Sequence, residues 1–122
     1  MSNSSNNKIV KLKYQTIDHH IKLWCKLLDK YYPISEKELE LVSYLIQKQL
    51  DYTNRRLEEN DINELMLSTK MRKEMSTYFK LDPKTLNTYV SLLRGKKVII
   101  SNLINNDLIP KDELTFKFTQ IG

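Results

Sequence analysis

The stretch that decides the fold is residues 76–100, STYFKLDPKTLNTYVSLLRGKKVII. Its Asp82 and Pro83 are typical of a helix start, because the aspartate side chain accepts hydrogen bonds from unpaired amides and proline has no amide to leave unpaired. The residues after Pro83 alternate between apolar and polar with the period of a helix. A basic cluster and the β-branched residues 98–100 follow and indicate a strand. The stretch therefore predicts a helix and then a strand.

The predicted helix after Pro83 has two complementary faces. Its inward positions are Leu86, Tyr89, Val90 and Leu93, and its outward positions are Lys84, Asn87, Thr88 and Ser91. Just upstream, Met71, Met75 and Phe79 recur every four residues and predict another helix over 70–79. A three-residue connection joins the two. The pair is therefore predicted to be two short helices separated by a tight turn.

Two further helices are predicted upstream of this pair. Ser35 and Glu38 form a capping box, in which each side chain pairs with a backbone amide of the other, and they start a helix over 36–56. An earlier helix over 17–31 ends at Pro33. The apolar stripe of the later helix is Leu39, Val42, Leu45, Ile46 and Leu50, and that of the earlier helix is Ile17, Ile21, Trp24, Leu27, Leu28 and Tyr31.

The remaining segments give less decisive patterns. Residues 1–7 are rich in Ser and Asn and predict a disordered tip, and residues 8–14 alternate as in a short strand or the start of the next helix. Residues 62–69 fit either a short strand or another turn of helix. Strands at 96–101 and 114–121, separated by an Asn-Asn-Asp turn signal, predict a β-hairpin.

The predicted order along the chain is a helix, a shorter helix, a tight turn, a second helix and a hairpin. This is the layout of the winged helix-turn-helix family, which the chain resembles over about residues 36–118. The segment LDPKTLNTYVSLLRGKKVI, residues 81–99, is similar to the family's recognition helix and first wing strand. The resemblance implies a mainly α fold with a small C-terminal β-hairpin. It also divides the chain into the tip at 1–7, an N-terminal arm and helix at 8–35, and a winged domain at 36–120.

The resemblance also implies a DNA-binding surface, because the second helix of the pair lies in the DNA major groove in that family. Its outward residues would contact bases and phosphates, and nearby cations would supply non-specific phosphate contacts. The implied DNA-binding residues are Lys70, Arg72, Lys73, Lys84, Thr85, Asn87, Thr88, Ser91, Arg94, Lys96 and Lys97. Asn105 and Asn106, at the tip of the implied wing, would contact the adjacent minor groove. The connection at 80–82 is Lys-Leu-Asp, where the family usually has a glycine.

Composition excludes several function classes. The chain has two glycines, so it holds neither a Walker loop nor a dinucleotide-binding loop, and one cysteine, so it forms no internal disulfide. His19, His20 and Cys25 lack the spacing of a structural zinc site and the oriented partner that a nucleophile needs. We therefore expect no enzyme, no metal and no cofactor. No apolar run reaches the roughly 20 residues of a membrane helix, and we expect a cytoplasmic protein.

Charge is distributed unevenly along the chain. Residues 68–102 carry eight Lys or Arg and two acidic residues, whereas residues 36–67 carry four Lys or Arg and eight acidic residues. A basic segment that coincides with the implied recognition helix favours contact with nucleic acid. We therefore predict a small, nucleoid-associated DNA-binding protein that regulates transcription or assists replication.

The sequence allows two hypotheses about the partners of the protein. In the first, two copies pair through the helices at 17–31 and 36–56, as winged regulators often do through flanking helices. In the second, the same fold serves a non-catalytic protein–protein contact, for example in a structural or assembly protein of a virion. Sixteen lysines against four arginines suggest an A/T-rich genome, which fits a bacterium, its phage or a mobile element.

Overall fold

A computed structural model describes residues 17–110 of the chain. The elements in that range are α1 (17–27), α2 (Glu36–Asn54), α3 (Glu59–Met66), α4 (Thr69–Phe79), α5 (Pro83–Gly95), β1 (Ile99–Ile100) and β2 (Leu103–Ile104), followed by a 3₁₀ turn at Asn106–Leu108. The prediction of a mainly helical chain with a small hairpin toward the C-terminus is confirmed. The predictions for 1–7, for 8–14 and for a strand at 114–121 lie outside the described residues.

Helix α2 lies in the middle of the fold. Its start is the predicted capping box, in which the Ser35 hydroxyl accepts from the Glu38 amide at 3.2 Å and the Glu38 Oε1 accepts from the Ser35 amide at 2.8 Å. Its buried apolar residues are Leu39, Leu41, Val42, Leu45 and Ile46. Because the chain's own elements cover these residues, the apolar stripe of α2 does not form a surface for a second copy.

Helix α1 packs into the same core as α2. Ile21 and Cys25 are buried there, and the Trp24 indole donates to the backbone carbonyl of Asp107 at 2.9 Å. The helix ends at residue 27, earlier than predicted, and residues 28–31 continue as turns. The turns at 28–31 separate the end of α1 from Pro33, which disfavours helical backbone only in the residue before it.

Residues 62–66 of the ambiguous segment at 62–69 are helical and belong to α3, whose Ile62 and Met66 are buried against the core. Leu67 and Ser68 form the connection to α4, which begins at Thr69. The Ser68 hydroxyl then accepts from the Met71 amide at 3.2 Å, which caps the start of α4. No helix within residues 17–110 is long and apolar enough to cross a membrane.

The hairpin turn lies earlier than predicted. β1 and β2 are antiparallel, with Ile99 opposite Ile104 and Ile100 opposite Leu103, so the turn is formed by residues 101 and 102. The predicted turn at 105–107 is wrong, because that segment starts the 3₁₀ turn with the Asn105 side chain accepting from the Asp107 amide at 3.0 Å. The same Asn-Asn-Asp signal suits a reversal between strands and the capping of a short helix.

Candidate nucleic-acid interface

Helices α4 and α5 are joined by a compact three-residue turn. Lys80 ends α4 in the left-handed conformation, with φ 55° and ψ 46°. The Leu81 amide donates to the Ser76 carbonyl at 3.0 Å, the bond that closes a Schellman-type helix end. Asp82 then caps α5, since its Oδ1 accepts from the Thr85 amide at 2.7 Å. A lysine therefore occupies the left-handed position for which this kind of turn prefers glycine.

The two predicted faces of α5 are both present. Leu86 and Leu93 are fully buried and Val90 nearly so, whereas Tyr89 is half-buried. The residues on the opposite side, Lys84, Asn87, Thr88 and Ser91, are all exposed. They border an open groove of about 620 Å³ that also reaches Leu92, Gly95 and Lys96. Thr85 is half-buried at the edge of this polar face.

Arg72 of α4 fixes the orientation of Asn87 on α5. Its Nη1 donates to the Asn87 Oδ1 at 2.8 Å, while its Nε donates to the Leu67 carbonyl at 3.0 Å. A carbonyl oxygen has two lone pairs, so Asn87 keeps one of them and both amide hydrogens. Those groups are the donor and acceptor that recognise adenine in the major groove.

Two other predicted DNA-binding cations are engaged within the fold. Arg94 donates to the Ser101 carbonyl at 3.3 Å and to the Asn102 Oδ1 at 2.7 Å. Lys96 donates to the Glu38 Oε1 at 2.8 Å. With Arg72, these residues join α5 to neighbouring elements through their side chains.

The remaining cations among the predicted DNA-binding residues are lysines. Lys70, Lys73, Lys84 and Lys97 are exposed, and within residues 17–110 none of them forms an ion pair or a side-chain hydrogen bond. Lys70 and Lys73 lie on α4, Lys84 lies in the first turn of α5, and Lys97 precedes β1. Four lysines are therefore able to contact phosphates without breaking an internal contact.

The contact between Glu38 and Lys96 was not foreseen from the sequence. Glu38 is 3% exposed, and burial raises the pKa of its carboxyl. Hydrogen bonds from Lys96 and Ser35 outweigh that effect, so the pKa of Glu38 lies below its ordinary value. The capping box identifies Glu38 in the sequence, but nothing local connects it to a residue 58 positions later.

The hairpin turn is tied to the helices on both sides. The Asn102 amide donates to the Asn63 Oδ1 at 3.0 Å, and the Asn102 side chain donates to the Asn63 carbonyl at 3.2 Å. Arg94 contacts the same turn from α5. Asn105, one of the two predicted wing-tip residues, donates through its side chain to the Lys97 carbonyl at 2.9 Å. The hairpin thus braces α5, and its tip does not project from the fold.

The residues considered for metal binding or catalysis are placed as follows. Cys25 is fully buried, and burial raises the pKa of its thiol to about 11, so it is a neutral thiol near pH 7. His19 is exposed and His20 is half-buried. Among residues 17–110, no three His, Cys, Asp or Glu side chains lie together in a way that could hold a metal ion.

Comparison of the chain with protein-family models, with curated proteins and with solved structures found no significant match.

Proposed function

We propose that the protein binds duplex DNA through the outward face of α5, in the manner of a winged helix-turn-helix protein. The observation that carries the proposal is the division of α5 into a buried apolar side and an exposed side with lysine, asparagine, threonine and serine. The tight turn after α4 and the brace from the hairpin support it. They hold that face rigidly and leave it open to solvent.

The charges around α5 favour a binding mode dominated by phosphates. Arg72 and Arg94, the two arginines nearest the face, are engaged in internal hydrogen bonds. Lysine contacts phosphate as a point charge and discriminates bases less well than arginine, which pairs with guanine through two hydrogen bonds. Asn87 is the side chain best placed for base recognition. We therefore propose modest sequence preference and binding that depends mainly on the four unpaired lysines.

The biological role that fits this binding mode is regulation of transcription or assistance to replication in a bacterium, a phage or a mobile element. Such a role would place the protein with the nucleoid in the cytoplasm. Pairing of two copies would use α1, where Leu23 and Leu27 are 43% and 74% exposed one helical turn apart, together with the turn after it, where Tyr31 is 70% exposed. The apolar stripe of α2 is buried, so it is not available for that pairing.

A second candidate function is a protein–protein contact on the same side of the molecule. Leu92, on the groove beside α5, is 49% exposed, and Ile100 of β1 is 53% exposed. Burial of apolar side chains of this size against a protein partner contributes more binding free energy than contact with a phosphate backbone does. The two functions differ in their response to salt, since a largely apolar interface is not weakened by screening.

The salt dependence of binding tests the proposed function. Neutralisation of phosphates by Lys70, Lys73, Lys84 and Lys97 gives a log–log slope of about −3 to −4, which weakens duplex binding about 100-fold between about 50 and 200 mM salt. Fluorescence anisotropy with a labelled duplex of random sequence measures it. At low salt, the Lys84→Ala, Asn87→Ala variant should bind the duplex more weakly than the wild type does. Failure to bind the duplex at the lower salt concentration, or a change of less than about threefold, would overturn the proposal.

A further inference from the structure

An exposed tyrosine lies in a groove between α2 and α4 that shares no lining residue with the groove beside α5. Tyr78 of α4 is 68% exposed, and its ring centroid lies 5.1 Å from that of Tyr44 on α2. On another side it contacts Phe79 edge-on, with the centroids 4.8 Å apart and the rings at 78°. Two aromatic neighbours therefore hold the ring in place while most of its surface stays open to solvent.

The groove beside Tyr78 is basic. It has a volume of about 900 Å³, and its charged residues are Lys48, Lys70, Lys73 and Glu74. Glu74 lies 3.9 Å from Lys48, so these two charges offset each other and the two lysines of α4 leave an excess of positive charge. We call this site the α2–α4 groove.

A neighbouring groove shares Tyr44, Lys48 and Tyr78 but has the opposite charge balance. It measures about 520 Å³, and its lining adds one lysine and three acidic residues, which are Lys22, Asp18, Glu40 and Asp51. Lys22 is already paired there, at 3.0 Å from Asp18 and 3.2 Å from Glu40. An anionic ligand is therefore attracted to the α2–α4 groove and repelled by its neighbour.

An open aromatic ring beside unpaired lysines is the arrangement that binds single-stranded nucleic acid. A base stacks on the ring, and the adjoining phosphates lie against the cations. The base must be unpaired, because a base within a duplex is already stacked between its neighbours. Lys70 and Lys73 also belong to the proposed duplex interface, so α4 connects the two surfaces.

We propose that the α2–α4 groove binds an unpaired nucleotide of DNA that adjoins the bound duplex, with its base stacked on Tyr78 and its phosphates against Lys70 and Lys73. This inference rests on the proposed duplex binding and extends it. The preferred substrate is then a junction between double-stranded and single-stranded DNA.

Fluorescence anisotropy with two probes tests this inference. One probe is a blunt duplex, and the other is the same duplex with a single-stranded tail of about six nucleotides. The wild-type protein should bind the tailed probe about tenfold more tightly, in line with the stacking of one base on an aromatic side chain. Tyr78→Ala should remove that gain and leave blunt-duplex affinity unchanged, whereas Tyr78→Phe, which keeps the ring, should retain it.

Equal affinity of the wild-type protein for the two probes, or a gain that Tyr78→Ala retains, would overturn the inference. Thermal melting checks that the Tyr78→Ala variant folds, which we expect because the Tyr78 side chain is largely exposed. The Lys84→Ala, Asn87→Ala variant separates the two proposals. Weaker blunt-duplex binding by this variant, with the tailed probe still bound more tightly than the blunt one, supports both proposals. Binding of the tailed probe by the wild type without any blunt-duplex binding overturns the proposed function and the preference for a junction, and leaves only the stacking of a base on Tyr78.

Discussion

Helix α5 carries a matched pair of leucines, one buried and one exposed, whose substitution separates effects on folding from effects on the surface. Leu86 is fully buried, whereas Leu92 on the same helix is 49% exposed. We predict that Leu86→Ala lowers the free energy of unfolding by about 2–5 kcal/mol, since it removes buried methyl groups and leaves a cavity. Leu92→Ala should cost less than about 1 kcal/mol. Urea denaturation measures both, and similar losses for the two variants would contradict this placement of the helix.

The buried carboxylate of Glu38 makes the stability depend on pH. Because its folded-state pKa is depressed, its contribution is fully present above its ordinary pKa of 4.5 and is lost as the pH falls through the folded-state value. We predict that Glu38→Gln loses less stability between about pH 5 and pH 3 than the wild type does. Denaturation midpoints across that range measure the difference, and parallel pH profiles would contradict it.

Removal of the cation beside Glu38 is a separate test of the same contact. Lys96→Met keeps much of the side-chain volume but leaves the buried carboxylate without its charged partner. We expect a loss of about 1–3 kcal/mol at neutral pH, because Lys96 is itself partly exposed and solvent replaces some of the contact. In the Glu38→Gln background the same substitution should cost much less, since no charge is then left unpaired.

At the element scale, the turn between α4 and α5 depends on a lysine in the left-handed conformation. Lys80 has φ 55°, where a side chain is disfavoured and glycine is not. We predict that Lys80→Gly stabilises the protein by roughly 1 kcal/mol, while Lys80→Ala, which keeps a β-carbon, changes stability little. Thermal unfolding measures both. Destabilisation by Lys80→Gly would show that the lysine side chain contributes contacts that outweigh its backbone strain.

Helices α2, α4 and α5 could be predicted from the sequence because their signals are local. The capping box at Ser35 and Glu38, the start at Asp82 and the helical spacing of the apolar residues each lie within a few positions of the structure they specify. The hairpin turn could not be placed in the same way, because an Asn-Asn-Asp run also suits a short 3₁₀ turn. What holds the turn at residues 101–102 is the contact with Asn63, 39 positions away from Asn102.

At the scale of the whole molecule, part of the candidate site could be predicted and part could not. The exposed residues of α5 follow from helical periodicity. The division of the cations into engaged and unpaired residues does not, because Arg72, Arg94 and Lys96 bind groups on other elements. The same holds for Tyr78, which meets Tyr44 only when α2 and α4 pack together. Long-range packing therefore decides which charges and rings remain available to a ligand.

Nuclear magnetic resonance can test whether the outward face of α5 is the surface that DNA contacts. Addition of an unlabelled blunt duplex to the ¹⁵N-labelled protein should shift the amide signals of the outward face of α5 and of α4. We expect the largest changes at Lys70, Lys73, Lys84, Asn87 and Thr88. Shifts confined to the exposed leucines of α1, or an unchanged spectrum at low salt, would contradict DNA binding by α5.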